Sequence, residues 1–182
     1  MIDLAFRMRK KIADLSQIER IVIHTSAHSR RDRDEGARFS EARSTGSRET
    51  LDHSVMYILA VALEDGTWHQ VERRKRDSTL QLWRSITTRK DDKWTARYHA
   101  EDASQKAFGG RVEIFFCDGS RIEDELAVAN AHPLGAAPFG RDDYLHQFKV
   151  LTDQLISQQE CDRFVQSAVG TERVFCPANC TS

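Results

Sequence analysis

Residues 111–129 constrain the fold more than any other stretch of this chain. Val112, Ile114 and Phe116 alternate with polar residues up to Asp118-Gly119, and Ile122, Leu126 and Val128 alternate on the way back. Period-two alternation marks a half-buried strand, and Asp-Gly between two such runs predicts a β-hairpin closed by a tight primed turn. A hairpin with one apolar face needs cover, so packed helices are expected around it. Gly109-Gly110 stands before a strand rather than a helix. That placement does not suit a phosphate-binding loop, but it does suit a close backbone approach at the entrance to the hairpin.

The flanking sequence supplies the cover. Ala5, Met8, Ile12 and Leu15 share one helical face, and Ile18 to Thr25, with its β-branched run Ile21-Val22-Ile23, reads as a buried strand. Leu51, Val55, Ile58, Leu59 and Ala62 stripe a helix that begins near Thr50 and stops at Gly66. Trp68 to Val71 fits a short strand. Leu80, Trp83 and Ile86 suggest a further helix, capped near Asp77 or Ser78. Tyr144, Phe148, Leu151 and Leu155 stripe another, and Ser157-Gln158-Gln159-Glu160 is a capping box for the next. Strands and helices do not alternate regularly, which predicts an α+β class: a small antiparallel sheet with packed helices. The expected division is an α+β domain over residues 1–138, with a loop or insertion at 30–47, then C-terminal helices and a divergent tail over 139–182.

Composition excludes several functions. Charged residues reach 30% but balance to a net charge of −1, without the basic excess of a nucleic-acid binder. No run approaches the roughly 18 apolar residues of a membrane span. Residues 1–11 lack a signal-peptide core, so the expected location is cytoplasmic. Cys117, Cys161, Cys176 and Cys180 form no Cys-x2-Cys pair and read as free thiols rather than a metal or iron–sulfur site.

Read without a family, the candidate chemistry is sparse. His24 and His28 lie four apart at a strand end and share a side, yet no further zinc ligand is near, so a partly exposed structural pair is the expected reading. His53 follows Asp52 at a helix start, where the carboxylate either orients a general base or simply favours the positive end of the helix dipole. The run Arg73-Arg74-Lys75-Arg76 reads as a solvated charge run before it reads as an anion site.

Three strings narrow this. They are Ser47 to Ile58 continuing through Ala62-Leu63-Glu64-Asp65-Gly66-Thr67-Trp68-His69, Lys106 to Ile114, and Asp124 to Gly135. With Trp94 to His99 and Phe139-Gly140-Arg141, their order and spacing resemble the 2-methylcitrate dehydratase (MmgE/PrpD) family from about residue 10 to about residue 165. The resemblance implies a larger two-domain hydro-lyase that removes water from 2-methylcitrate without an iron–sulfur cluster, in propionate breakdown. This chain would then supply the α+β domain and the helices that return to an all-helical domain. Such a reaction needs a base for the proton α to a carboxylate, an acid for the departing hydroxyl, and cations for three carboxylates.

By that resemblance the main acid–base residues lie outside this chain, and the chain alone is expected to be inactive. His53 and His132 are the remaining catalytic candidates, and Arg48 and Arg111 the substrate-binding ones; no cofactor and no metal are expected. The expected ligand is a tricarboxylate, bound once a helical N-terminal domain completes the site. Nucleic acid and membrane are not expected partners, and exposed apolar helix faces allow a homodimer. A family contact made by a Tyr after the first strand is replaced here by Ser29-Arg30-Arg31, and Ala137 stands where relatives often carry Arg. Residues 30–46 depart enough to suggest a shifted reading frame, which the coding sequence would show. The alternatives are a non-catalytic remnant, or an anion-binding α+β module using the basic loop at 30–38.

Overall fold

The computed structural model describes residues 1–28, 54–67 and 76–171. They fall into two compact units, the described parts of Met1–Asn130 with Leu134–Ala136, and of Ala131–Pro133 with Ala137–Ser182. Arg48, His53, the basic stretches at 30–38 and 73–75, the expected strand at 68–71, Cys176 and Cys180 lie outside the described residues.

The first unit is α+β. Helix α1 (Ile2–Arg9) buries Leu4, Ala5 and Met8. It ends earlier than its stripe suggests, because the Lys11 and Ile12 amides turn back onto the Met8 and Arg9 carbonyls at three-residue spacing. Ile12 still reaches the core, whereas Leu15 opens a 3-10 turn (Leu15–Gln17) capped by Asp14, whose carboxylate accepts the Ser16 amide at 2.8 Å. Strand β1 (Ile18–Thr25) follows.

Helix α2 (Val55–Asp65) starts where the Ser54 hydroxyl accepts the Tyr57 amide and stops at Gly66, whose φ of 64° is the left-handed region that glycine occupies without penalty. Helix α3 (Asp77–Arg84) and strand β2 (Ile86–Lys90) come next, then helix α4 (Asp92–Tyr98) and strands β3 (Gly110–Phe116) and β4 (Arg121–Leu126). Ile86 belongs to the strand rather than to the helix. The spacing 80-83-86 fits a helix, but the β-branched run Ile86-Thr87-Thr88 favours the pleated conformation once β1 is available to pair.

The sheet order is β2-β1-β3-β4. The hairpin and the β1–β3 pair are antiparallel, whereas β1 and β2 run parallel, so the α+β class holds and the small antiparallel sheet expected is a mixed one. A parallel pair needs a long crossover, and among the described residues α2 and α3 provide it. Helices α1 and α2 cover one face, where Leu4, Met8, Leu59 and Leu63 close over Ile21, Ile23, Ile86, Val112 and Ile114.

The hairpin turn also differs from the expected primed turn. Gly119 donates to the Phe116 carbonyl and Phe116 donates to the Ser120 carbonyl, with φ positive at Gly119 (83°) but not at Asp118. That is a three-residue loop with its left-handed residue last, so only the glycine takes the conformation that aspartate tolerates poorly. Gly109 has the close-approach role expected of it: a Cβ there would lie 1.9 Å from the Leu126 carbonyl oxygen.

The second unit is a helix pair, α5 (Arg141–Thr152) and α6 (Gln158–Thr171). Ser157 caps α6 by accepting the Glu160 amide at 3.2 Å, as the capping-box pattern predicts. Phe148 and Phe164 stack at 4.9 Å between ring centres, yet Cys161 is the one buried hydrophobic side chain found among the described residues of these helices. No described helix is long and apolar enough to cross a membrane.

Candidate functional site

The sheet face opposite α1 and α2 carries a dense group of charged side chains. Strand alternation decides who stands there: Ile21 and Ile23 point to the core, so Arg20, Val22 and His24 point away. Cross-strand register then sets the rows. Arg89, His24, Arg111 and Glu125 line up across all four strands, followed by Thr87, Val22, Glu113 and Glu123, and then by Arg20, Phe115 and Arg121.

Glu113 is the hub. Its Oε2 meets His24 Nε2 at 2.5 Å, while its Oε1 lies 3.0 Å from Arg111 Nη1 and 3.7 Å from Arg121 Nη1. The carboxylate is only 12% exposed. Burial works to raise its pKa, but the His24 hydrogen bond, the Arg111 and His24 charges and the Arg111 hydrogen bond outweigh it and hold the carboxyl below the usual glutamate range. Arg111 Nη1 also reaches Glu123 at 3.3 Å, and Arg20 lies 3.5 Å over the Phe115 ring.

Helix α4 is tied to this face. Lys93 Nζ lies 2.7 Å from both oxygens of Glu125, and Thr95 Oγ1 accepts the Ala27 amide at 3.0 Å. Trp94 is 1% exposed, and its indole N–H has no acceptor among the described residues. Beyond the end of β1, His28 stacks on Tyr98 at 4.8 Å, and Tyr98 meets Phe108 edge-on at 5.1 Å.

Of the candidates read from sequence, Arg111 therefore sits inside an ion-pair ladder. His132 lies exposed in the other compact unit. His24 and His28 are divided between a carboxylate and an aromatic stack. The His24–Glu113 pair was not evident from sequence. Alternation alone places Arg111 and Glu113 together, but bringing His24 beside them requires the β1–β3 register, which joins residues 89 positions apart.

A separate cavity of about 230 Å³ lies between the 3-10 turn, α2 and α3. Leu15, Ile18 and Leu82 form its apolar side, and Ser16, Glu64, Ser78 and Gln81 its polar side. Glu64 accepts hydrogen bonds from the Ser78 and Thr79 hydroxyls. With a carboxylate and, among the described residues, no cation in its lining, this cavity is ill suited to carboxylate ligands.

A mixed four-stranded sheet, helices over one face and a charged ladder on the other define an α+β domain whose polar surface is built for ionic contacts. A family model for the MmgE/PrpD C-terminal domain matches residues 1–171. The chain belongs to the MmgE/PrpD family, as its C-terminal domain.

Proposed function

We infer that this chain is the C-terminal part of a hydro-lyase of the 2-methylcitrate dehydratase type, converting 2-methylcitrate to 2-methyl-cis-aconitate when a helical N-terminal domain is present. The observation that carries the reading is the family match, which runs from residue 1 to residue 171 and describes a C-terminal domain. In this reading the principal acid and base come from the helical domain. The α+β unit contributes cationic side chains toward a tricarboxylate, with Arg111 first and Arg48 second, and His53 and His132 are held as reserve acid–base candidates.

The arrangement of the described residues supports a supporting role rather than a self-sufficient centre. The one partly buried carboxylate–histidine pair, Glu113 with His24, is engaged by arginines, which favours a fixed ion pair over a proton shuttle. The test is dehydration of 2-methylcitrate, followed by the ultraviolet absorbance of the unsaturated product. The chain alone is expected to be silent, and adding a family N-terminal domain is expected to restore turnover. Turnover by the chain alone would show that it carries the acid and base itself, with His53 and His132 the first positions to mutate. Silence in both arms would leave a non-catalytic remnant.

A further inference from the structure

We propose that the row Arg89–His24–Arg111 on the polar sheet face binds a small dicarboxylate, with one carboxylate on each guanidinium. The two arginines stand on β2 and β3 with β1 between them, so their backbones are two strand spacings apart, about 9–10 Å, on the same face. Arginine side chains are long enough for two cationic forks at that separation to reach one small dianion.

Both forks have capacity to spare. Arg89 makes no hydrogen bond or ion pair among the described residues. Arg111 uses only Nη1, toward Glu113 and Glu123, so its Nε and Nη2 edge has no partner there. That edge offers the parallel pair of N–H groups that matches a carboxylate. The acidic side chains of the face are already engaged, Glu113 by His24 and Arg111, Glu123 by Arg111, and Glu125 by Lys93.

Five cations (Arg20, Arg89, Arg111, Arg121 and Lys93) thus face three carboxylates, although the whole chain carries a net charge of −1. The positive excess is local.

This inference shares Arg111 with the function proposed above but does not depend on dehydration, because binding is read on the chain itself. Isothermal titration calorimetry with succinate at low ionic strength is expected to show saturable binding at a single site, roughly millimolar and weakened by salt. Arg89→Gln and Arg111→Gln are each expected to weaken it about tenfold or more. Arg89→Lys is expected to fall between wild type and Arg89→Gln, because lysine keeps the charge without the fork. Acetate and inorganic phosphate, which cannot bridge two separated forks, are expected to bind more weakly than succinate.

No saturable heat, an affinity unchanged in Arg89→Gln, or acetate or phosphate binding as tightly as succinate would each overturn the proposal. Arg89 supports no other described side chain, so its variant keeps the fold and a loss of binding there cannot be put down to unfolding. Succinate binding by the chain, together with no dehydration of 2-methylcitrate even after a family N-terminal domain is added, would count only against the catalytic reading.

Discussion

Replacing Glu113 by glutamine removes the charge at the centre of the polar face while keeping the shape of the side chain. The carboxylate is 12% exposed and has two close partners, His24 at 2.5 Å and Arg111 at 3.0 Å. A hydrogen bond to an ionised group contributes roughly 1.5–3 kcal/mol and a neutral one roughly 0.5–1.5 kcal/mol, so losing the charge forfeits about 1 kcal/mol per bond. The glutamine amide also presents N–H to one of two donors, which breaks one bond outright. Against this, Arg111 turns further onto Glu123, and the desolvation of a buried carboxylate is relieved. The net expectation is about 1–2 kcal/mol lost at pH 7.

The pH dependence gives the same pair a second readout. A carboxyl held below its ordinary value of 4.5 adds stability that is fully present above that value and disappears as pH falls through the folded-state pKa. Wild-type stability is therefore expected to fall between about pH 4.5 and the lower folded value, and the Glu113→Gln variant to fall less steeply there. Asp14, Asp102, Asp118 and Glu160 also have lowered pKa values, but they are unchanged in the variant and cancel in the difference. Urea unfolding followed by circular dichroism, at pH 7 and through the acid range, measures both. A variant within about 0.5 kcal/mol of wild type at pH 7, or one with the same acid slope, would refute the assignment of Glu113 as a stabilising hub.

Leu59, with no exposed surface in the α2 core, is expected to cost about 2–5 kcal/mol on replacement by alanine, read by the same unfolding curves. Gly109→Ala sets a Cβ 1.9 Å from one backbone oxygen and 2.5 Å from another, so soluble expression or the melting temperature should collapse while Gly66→Asn, at a site with open space and a left-handed φ, costs little. In the helix pair, Tyr144, Leu151, Leu155 and Phe164 are all more than half exposed, and concentration-dependent self-association is expected by light scattering after size exclusion. A monomer at every concentration would count against that, and against a homodimer.

Several features of this protein follow from local sequence. The hairpin, the apolar faces of α1, α2 and α5, the caps at Gly66 and Ser157, the close approach at Gly109 and the family are all written in stretches of a few to about 20 residues. Over that range period, capping chemistry and motif strings act independently of the rest of the chain. The tertiary structure decided what lies far apart in sequence. It set β1 at the centre of the sheet, took Ile86 out of a helix to pair in parallel, and joined His24 to Glu113. It also set Arg89 and Arg111 on either side of His24. A strand's own pattern specifies which face is apolar, but its neighbours and register are fixed only when hydrogen bonding and burial are satisfied together across the whole sheet.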